Sequence, residues 1–319
     1  QRQMCIRDRA ADSTLSGVVL DLGGSLSLEA DGSAGGLNGS GSLELNGQTL
    51  QIQAASGQTH TYEGTLGEGT LDVSGAGTQV LRSSGADTGL TISGGNLVLQ
   101  GKADVDGARL SYGNLVNSGN LTIQASDNSL TAVNTTLSVE NASFSSGSAT
   151  TFTLNTDADM TASFIEASGD VVIEDGASFH VTSIPDVNIT WKSGNPMELT
   201  LMELTGDGTI DLGENTLTVG GLFLTYYKNA HLVQEGDKVV LKAEEQTDNV
   251  YAGVADTANS MAGANLLWDA ARHGSIDQAI TDFLGALNND MLNNPSAARR
   301  SLAAAAGSTV NALGTAQRD

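Results

Sequence analysis

Short alternating runs of apolar and polar residues fill the chain from residue 25 to residue 241. "SLSLEADG" begins at Ser25, "GTLDVSGAG" at Gly69, "GLTISGGNLVLQ" at Gly89 and "SGDVVIEDGASFHV" at Ser168. At the centre of each run are two apolar residues two apart, with a small or polar residue between them. Leu90/Ile92, Leu97/Leu99, Leu121/Ile123, Leu137/Val139, Phe152/Leu154, Val171/Ile173 and Phe179/Val181 are examples. Period two marks a strand with one face buried. The runs are three to five residues long, and Gly, Asn, Asp and Ser bound them with turn chemistry.

Two architectures use such strands. An antiparallel sandwich or barrel spaces its strands evenly and closes within about 100–200 residues. A parallel β-helix stacks coils of about 20–25 residues, each with three short strands and one inward stripe per strand. The length of the unbroken pattern, 3 prolines and 4% aromatics favour the second. The expected fold is therefore mainly β, a parallel β-helix (β-solenoid) followed by a short α-helical C-terminal region. Nine to ten coils at about 4.8 Å would make a rod of roughly 45 Å.

Near Asp186 the pattern changes. Trp191, Phe223, Tyr226, Tyr227 and His231 appear and the strands lengthen, as in "GLFLTYYKNAHLVQEGDKVVLKAEE". A larger aromatic coil or hairpin there would close the end of the rod and block strand addition. After Gln246 the periodicity turns helical. Val254, Ala258, Met261, Leu267 and Ala271 predict one buried helix face ending near Gly274. Ser275 with Gln278 reads as a capping box ahead of Ile276, Ala279, Ile280, Phe283, Leu284 and Leu287. Asn294 reads as an N-cap with Pro295 at the first helical position. The helix that follows is thin, because Ala303–Ala306 and Gly307 give it little bulk.

Composition removes several function classes. Gly is 39 of 319 residues, but collagen's strict period and abundant Pro are missing, and 39% hydrophobic residues at regular spacing argue against disorder. The formal charge is −23, and between Ala10 and Trp191 the basic residues are Arg82, Lys102 and Arg109. Such a surface repels phosphate backbones, so nucleic acid is not an expected partner. No run approaches the roughly 18 apolar residues of a membrane-spanning helix.

Candidate chemistry is sparse. There is no G-x-S-x-G and no H-E-x-x-H; His60, His180, His231 and His273 are isolated, and each reads as a solvent or cap residue. "GDGTIDLG" at Gly206 is a single, incomplete approach to a calcium β-roll repeat. "KADVDGARLSYG" at Lys102 has Asp104, Asp106 and Gly107, but Lys102 and Gly113 stand where an EF-hand needs acids. Both read as turns. Asp104 with Asp106, and Asp157 with Asp159, are the paired acids a polysaccharide-acting β-helix enzyme would need, but basic and aromatic partners are few. No catalytic residue, metal ligand or cofactor is assigned.

The segment from Tyr251 to Asp319, "YAGVADTANSMAGANLLWDAARHGSIDQAITDFLGALNNDMLNNPSAARRSLAAAAGSTVNALGTAQRD", resembles the junction region of bacterial autotransporters of the type V secretion class. The resemblance implies a surface-displayed passenger, a structural or adhesive β-helical stalk that crosses the periplasm and leaves through its own twelve-stranded outer-membrane barrel. It implies that barrel and the outer-membrane assembly machinery as partners and an extracellular location at the outer membrane; the sparse candidate chemistry, not the resemblance, points to no enzymatic role. The alternatives are a polysaccharide-acting β-helix enzyme and a rod that binds cations or glycans. On this reading residues 10–185 are passenger coils, 186–245 the aromatic cap, 246–294 a helical junction, and 295–319 a linker helix whose small side chains suit a narrow barrel lumen, the barrel itself not following Asp319. Asn293–Asn294 and Asn288–Asn289 are each similar to the Asn-Asn cleavage pair of some family members. Exposed Ser, Thr and Asn rows suit self-association or host glycans.

The first residues do not fit the rest. "QRQMCIRDR" holds the one cysteine and three of the 14 basic residues and no glycine. Met4, Cys5 and Ile6 are too short an apolar stretch for a signal peptide. The codons ATG TGT ATA AGA GAC AG resemble a transposon-end sequencing adapter, so residues 1–9 are expected to be adapter read-through. Without them the chain is cysteine-free, which suits passage through an oxidising periplasm.

Overall fold

The computed structural model describes residues 14–100, 109–124, 135–154, 163–183, 197–273 and 278–316, with side chains from Gly17 to Arg272 and from Gln278 to Ala306. Its main body is a three-faced parallel solenoid. The first face runs from Gly32–Gly39 through Thr49–Ile52, Gly69–Val73, Thr88–Ile92, Leu115–Asn117, Ala142–Phe144 and Val171–Ile173 to Ile210–Leu212. The second runs from Thr59–Tyr62 through Thr78–Leu81, Asn96–Gln100, Asn120–Gln124, Ala149–Leu154 and Ser178–Ser183 to Thr216–Val219. The third is split: Ser25–Ser27, Ser42–Glu44 and Thr65–Leu66 form one part, and Arg109–Ser111, Thr136–Val139, Ile165–Ala167 and Met197–Leu204 the other, joined by a bridge from Gly85 to Tyr112. Strand Thr14–Leu22 adds one more row on Gly32–Gly39.

All seven apolar pairs named above point inward and are buried. They stack on their equivalents one coil away. Leu50, Leu71, Leu90, Leu115, Ala142, Val171 and Ile210 form one row of the first face. Tyr62, Leu81, Leu99, Ile123, Phe152, Val181 and Val219 form one row of the second. Each coil thus removes from water the apolar surface its neighbour exposes, which is the main stabilising term in a repeat array.

Coil length is less regular than expected. Bonded neighbours on successive coils are 18 residues apart at Asp31–Thr49, 27 at Asn114–Asn141 and 39 at Asp170–Thr209. The additions fall in one connection of each turn, from the second face to the third. At the opposite corner, third face to first, register is held by a side-chain ladder. Asn141 Nδ2 donates to Asn114 Oδ1 (2.8 Å), the Asp170 N–H to Asn141 Oδ1 (2.8 Å) and the Thr209 N–H to Asp170 Oδ1 (2.8 Å). Where the second face turns to the third, a Cβ on Gly41 would lie 2.0 Å from the Gly24 carbonyl oxygen. One on Gly64 would lie 1.9 Å from that of Gly41, so glycine lets the coils stack at that corner.

Inward rows also accept polar residues where backbone needs a partner. Gln79 is fully buried; its Nε2 donates to the Leu37 carbonyl (2.8 Å) and its Oε1 accepts from the Leu37 N–H (3.0 Å). Asn117 donates to Thr150 Oγ1 (3.0 Å) and accepts from the Gly119 N–H (3.1 Å). His60 corrects the expectation of a solvent or cap residue. It is buried on the same row as Gln79, and a Cβ on Gly36 would strike its ring.

At the C-terminal end parallel stacking stops. Lys238–Glu245 pairs antiparallel with Met197–Leu204, and Tyr227–Glu235 pairs antiparallel with Lys238–Glu245. Leu222, Phe223, Tyr226 and Tyr227 are buried under this cap. The helices Ala258–His273, Gln278–Asn293 and Pro295–Ala316 then pack on it, so one apolar core runs from Leu20 to Leu302. Their faces differ from the sequence expectation. Met261 is exposed, while Ser260, Ala264 and Ala271 are buried. The cause is a capping box: the Thr257 N–H donates to Ser260 Oγ (2.9 Å) and the Ser260 N–H to Thr257 Oγ1 (3.1 Å), which turns Ser260 inward. Gly263 then meets Ala306, where an added Cβ would come within 2.9 Å. In the next helix Thr281, Leu284, Gly285, Leu287 and Asn288 are buried and Ala279 is exposed. Asn294 caps the last helix, accepting from the Ala297 N–H (3.2 Å), and that helix packs through Ala298, Leu302 and Ala306. Ser275, Ile276 and Trp191 lie outside the described residues. Among the described residues no helix is long and apolar enough to cross a membrane.

Candidate functional site

The part of the third face from Arg109–Ser111 to Met197–Leu204 carries a shallow groove of about 360 Å3, lined by Arg109, Ser111, Tyr112, Ser138, Val139, Glu140, Glu166, Ser168 and Thr205. Strand register builds it. Parallel pairing sets Ser111 beside Ser138, Ser138 beside Glu166 and Glu166 beside Glu203, and the antiparallel cap adds Lys238 beside Glu203. These outward residues form one row because period two puts their alternate neighbours, Leu110, Leu137, Ile165 and Met202, in the core.

Arg109 reaches along the row. Its Nη2 donates to Glu166 Oε1 (2.9 Å) and its Nη1 to Glu166 Oε2, a bidentate pair, with Ser138 Oγ at 2.6 Å from Nη1. The hydrogen bonds to Glu166 push the Arg109 guanidinium up from its ordinary value. Lys238 Nζ sits 3.1 Å from Glu203 Oε1. Charges along the row are therefore matched in pairs.

This arrangement offers little for chemistry. A glycoside-cleaving site needs one carboxylate free to attack or to activate water and another to protonate the leaving group. Among the described residues the groove has two acids, of which Glu166 has both oxygens on Arg109, and no histidine or lysine lines it. Tyr112 is buried, its hydroxyl donates to the Ser83 carbonyl (2.5 Å), and burial holds its pKa above the ordinary tyrosine value, so it is no base at neutral pH. With Tyr112 buried, no described residue gives the groove an aromatic platform. What remains among the described residues is a rim of hydroxyls, the Glu140 carboxylate and a neutralised ion pair, suited to weak polar contact.

Among the described residues no group of three or more His, Cys, Asp or Glu is placed to hold a metal ion. The paired acids Asp104/Asp106 and Asp157/Asp159 lie outside the described residues. Gly206–Gly208 of "GDGTIDLG" forms a corner, where a Cβ on Gly208 would lie 2.0 Å from the Gly169 carbonyl oxygen. His231 is exposed, and the half-buried His180 shares a hydrogen bond with Thr218 Oγ1 (2.8 Å), its pKa lowered by burial. Arg109 and Glu166 are 57 residues apart, so no local motif announces them.

A second polar cluster sits where the helices meet the cap. Asn288 Nδ2 donates to the Gly221 carbonyl (2.7 Å) and to Thr225 Oγ1 (2.9 Å), and Thr225 Oγ1 shares a hydrogen bond with the Tyr251 hydroxyl (2.7 Å). Asn289 Oδ1 accepts from the Gly221 N–H (3.1 Å). Tyr251 packs edge-on against Trp268, Arg272 lies 5.3 Å over the Trp268 ring, and Arg272 Nη2 meets Glu245 Oε1 at 2.5 Å. Both amides of Asn288–Asn289 thus join the helices to the end of the rod. Comparison of the chain with protein-family models, with curated proteins and with solved structures finds no match in any of the three.

Proposed function

We propose that the chain is the passenger and linker region of an autotransporter, a structural and adhesive stalk displayed at the outer membrane. One observation carries the reading: a parallel solenoid that stops being parallel at its C-terminal end, where an antiparallel hairpin is joined to a helical junction. Such an end is a template. A chain emerging C-terminus first would meet a cap that already presents the strand Met197–Leu204, and each new coil would bury its stripe on the one before. The resemblance of Tyr251–Asp319 to the family's junction supports the same polarity, with the helix from Pro295 leading toward the barrel.

Two measurements test this. Placed between a signal peptide and an outer-membrane barrel, residues 10–319 should become accessible to protease added to intact cells; retention in the periplasm would overturn the export reading. Removing residues 186–245 should abolish refolding of the isolated rod after dilution from denaturant. Recovery of the full circular-dichroism signal would overturn the template role.

A further inference from the structure

Rod and helices meet at the turn Gly220–Gly221, which follows the strand Thr216–Val219. On one side the strand Ser178–Ser183 holds this turn. The Gly220 N–H donates to the Val181 carbonyl (2.9 Å) and the Leu222 N–H to Ser183 Oγ (3.0 Å). On the other side the helix Gln278–Asn293 holds it. Asn288 Nδ2 donates to the Gly221 carbonyl (2.7 Å), and Asn289 Oδ1 accepts from the Gly221 N–H (3.1 Å). Gly221 has a φ of +57°, and a Cβ there would lie 2.9 Å from the Ser183 carbonyl oxygen, so the clamp requires glycine.

His180 stands against this turn. A Cβ on Gly220 would lie 3.0 Å from His180 Cε1, 3.1 Å from its Nε2 and 3.3 Å from Asn289 Oδ1, so the imidazole edge, the glycine and the helix side chain meet at one point. The other ring nitrogen, Nδ1, is 2.8 Å from Thr218 Oγ1. In register His180 lies between Thr151 and Thr218. None of Thr151, Thr218, Gly220 and Asn289 titrates. The short helix Phe223–Tyr226 also packs on this strand, and its Tyr226 hydroxyl is engaged with the Ala271 carbonyl (3.3 Å) and kept neutral by burial. The helix Gln278–Asn293 carries Asp282 and Asp290, but neither acts on the ring; burial lowers its pKa, and a hydrogen bond with Thr218 works the other way. A second proton on the ring thus arrives without an anion to compensate it. It also finds its neighbours engaged, since the Gly220 carbonyl accepts from the Phe223 N–H (3.2 Å) and Asn289 Oδ1 from Gly221.

We propose that His180 is a proton-sensitive latch at this joint: with the ring neutral the helices stay seated on the rod, and a second proton on the ring loosens them. The sign follows from burial. In the seated joint the ring resists protonation, whereas in the opened joint it titrates near the ordinary histidine value of about 6.5. The opened state therefore takes up more protons as pH falls through that value, and seating is fully retained above it. The contact lies within one chain and does not depend on how the protein is exported.

Hydrogen exchange of the purified chain, corrected for the intrinsic pH dependence of amide exchange, tests this between about pH 7.5 and about pH 5.5. Protection in residues 278–293 should fall at least about twofold over that range, while protection in the coil strands of residues 88–100 holds. His180→Gln, which keeps a hydrogen-bonding group beside Thr218 but takes no proton, should abolish the change. His180→Thr, which continues the row of Thr151 and Thr218, should do the same. His231→Gln, at an exposed histidine of the hairpin, should leave it in place. Protection independent of pH in the unaltered chain overturns the proposal without reference to any variant. So does a pH dependence that both His180 variants retain, or one that His231→Gln removes.

Discussion

Phe152→Ala should cost the rod about 4 kcal/mol of stability. Phe152 is fully buried on the inward row between Ile123 and Val181. Its ring lies 5.1 Å from that of Phe164 and 6.3 Å from that of Phe179 in the next coil, and Phe179 in turn is 5.5 Å from Phe144. Truncation to alanine returns most of an aromatic side chain's buried area, on the order of 130 Å2, which at about 25 cal/mol per Å2 is roughly 3 kcal/mol. The remainder comes from the cavity, because the surrounding strands are fixed by parallel pairing on both sides and collapse only partly. Phe152→Leu keeps most of the volume and should cost about 1.5 kcal/mol. Urea titration followed by far-ultraviolet circular dichroism reads both values, provided the slopes with denaturant stay equal. A loss below about 1 kcal/mol for alanine, or equal losses for alanine and leucine, would refute the packing argument.

Gly64→Ala should lower the melting temperature far more than Gly57→Ala. The first drives a Cβ within 1.9 Å of the Gly41 carbonyl oxygen, while the second faces open space and carries only the strain of a φ of +76°, about 1 kcal/mol. Asn288→Ala should remove about 2 kcal/mol from helix docking by deleting two buried hydrogen bonds. Limited proteolysis should then cut the junction helices while the rod stays protected, and an unchanged digestion pattern would count against the tether. Stability should fall as pH rises above 10, because burial holds Tyr62, Tyr112 and Tyr251 above the ordinary value of 10.0. The unfolded chain then loses phenolic protons that the folded chain keeps, and stability is fully retained below that range. Denaturation midpoints from neutral pH to about pH 11.5 check the sign, and Tyr112→Phe should flatten the fall.

Much of the solenoid was legible because alternation is a local property. A residue two positions from a buried leucine on a strand is itself directed inward, whatever the strand pairs with. The Asn294–Pro295 helix start and the helix through Leu284 and Leu287 were legible because capping and the 3.6-residue period are local as well. Departures came where a partner far along the chain decided the outcome. His60 and Gln79 look like outward polar residues until the second face pairs them into the inward row and Gln79 finds the backbone of Leu37. Met261 fits an apolar helix face, but Ser260 is drawn inward by its own cap and Gly263 by the small surface around Ala306.

By itself, then, the sequence determined where the apolar pairs of the strands lie and that they face the core, since these follow from steric alternation and turn chemistry over a few residues, but it ended the coils near Asp186, whereas parallel pairing runs on to Thr216–Val219. Tertiary structure decided which coil lies on which. Strand partners on successive coils are 17 to 39 residues apart, so no fixed repeat could be counted along the chain. Stacking register also brought Arg109 onto Glu166 across 57 residues. That depends on how long each connection is, a property that leaves no mark on the alternation within any strand.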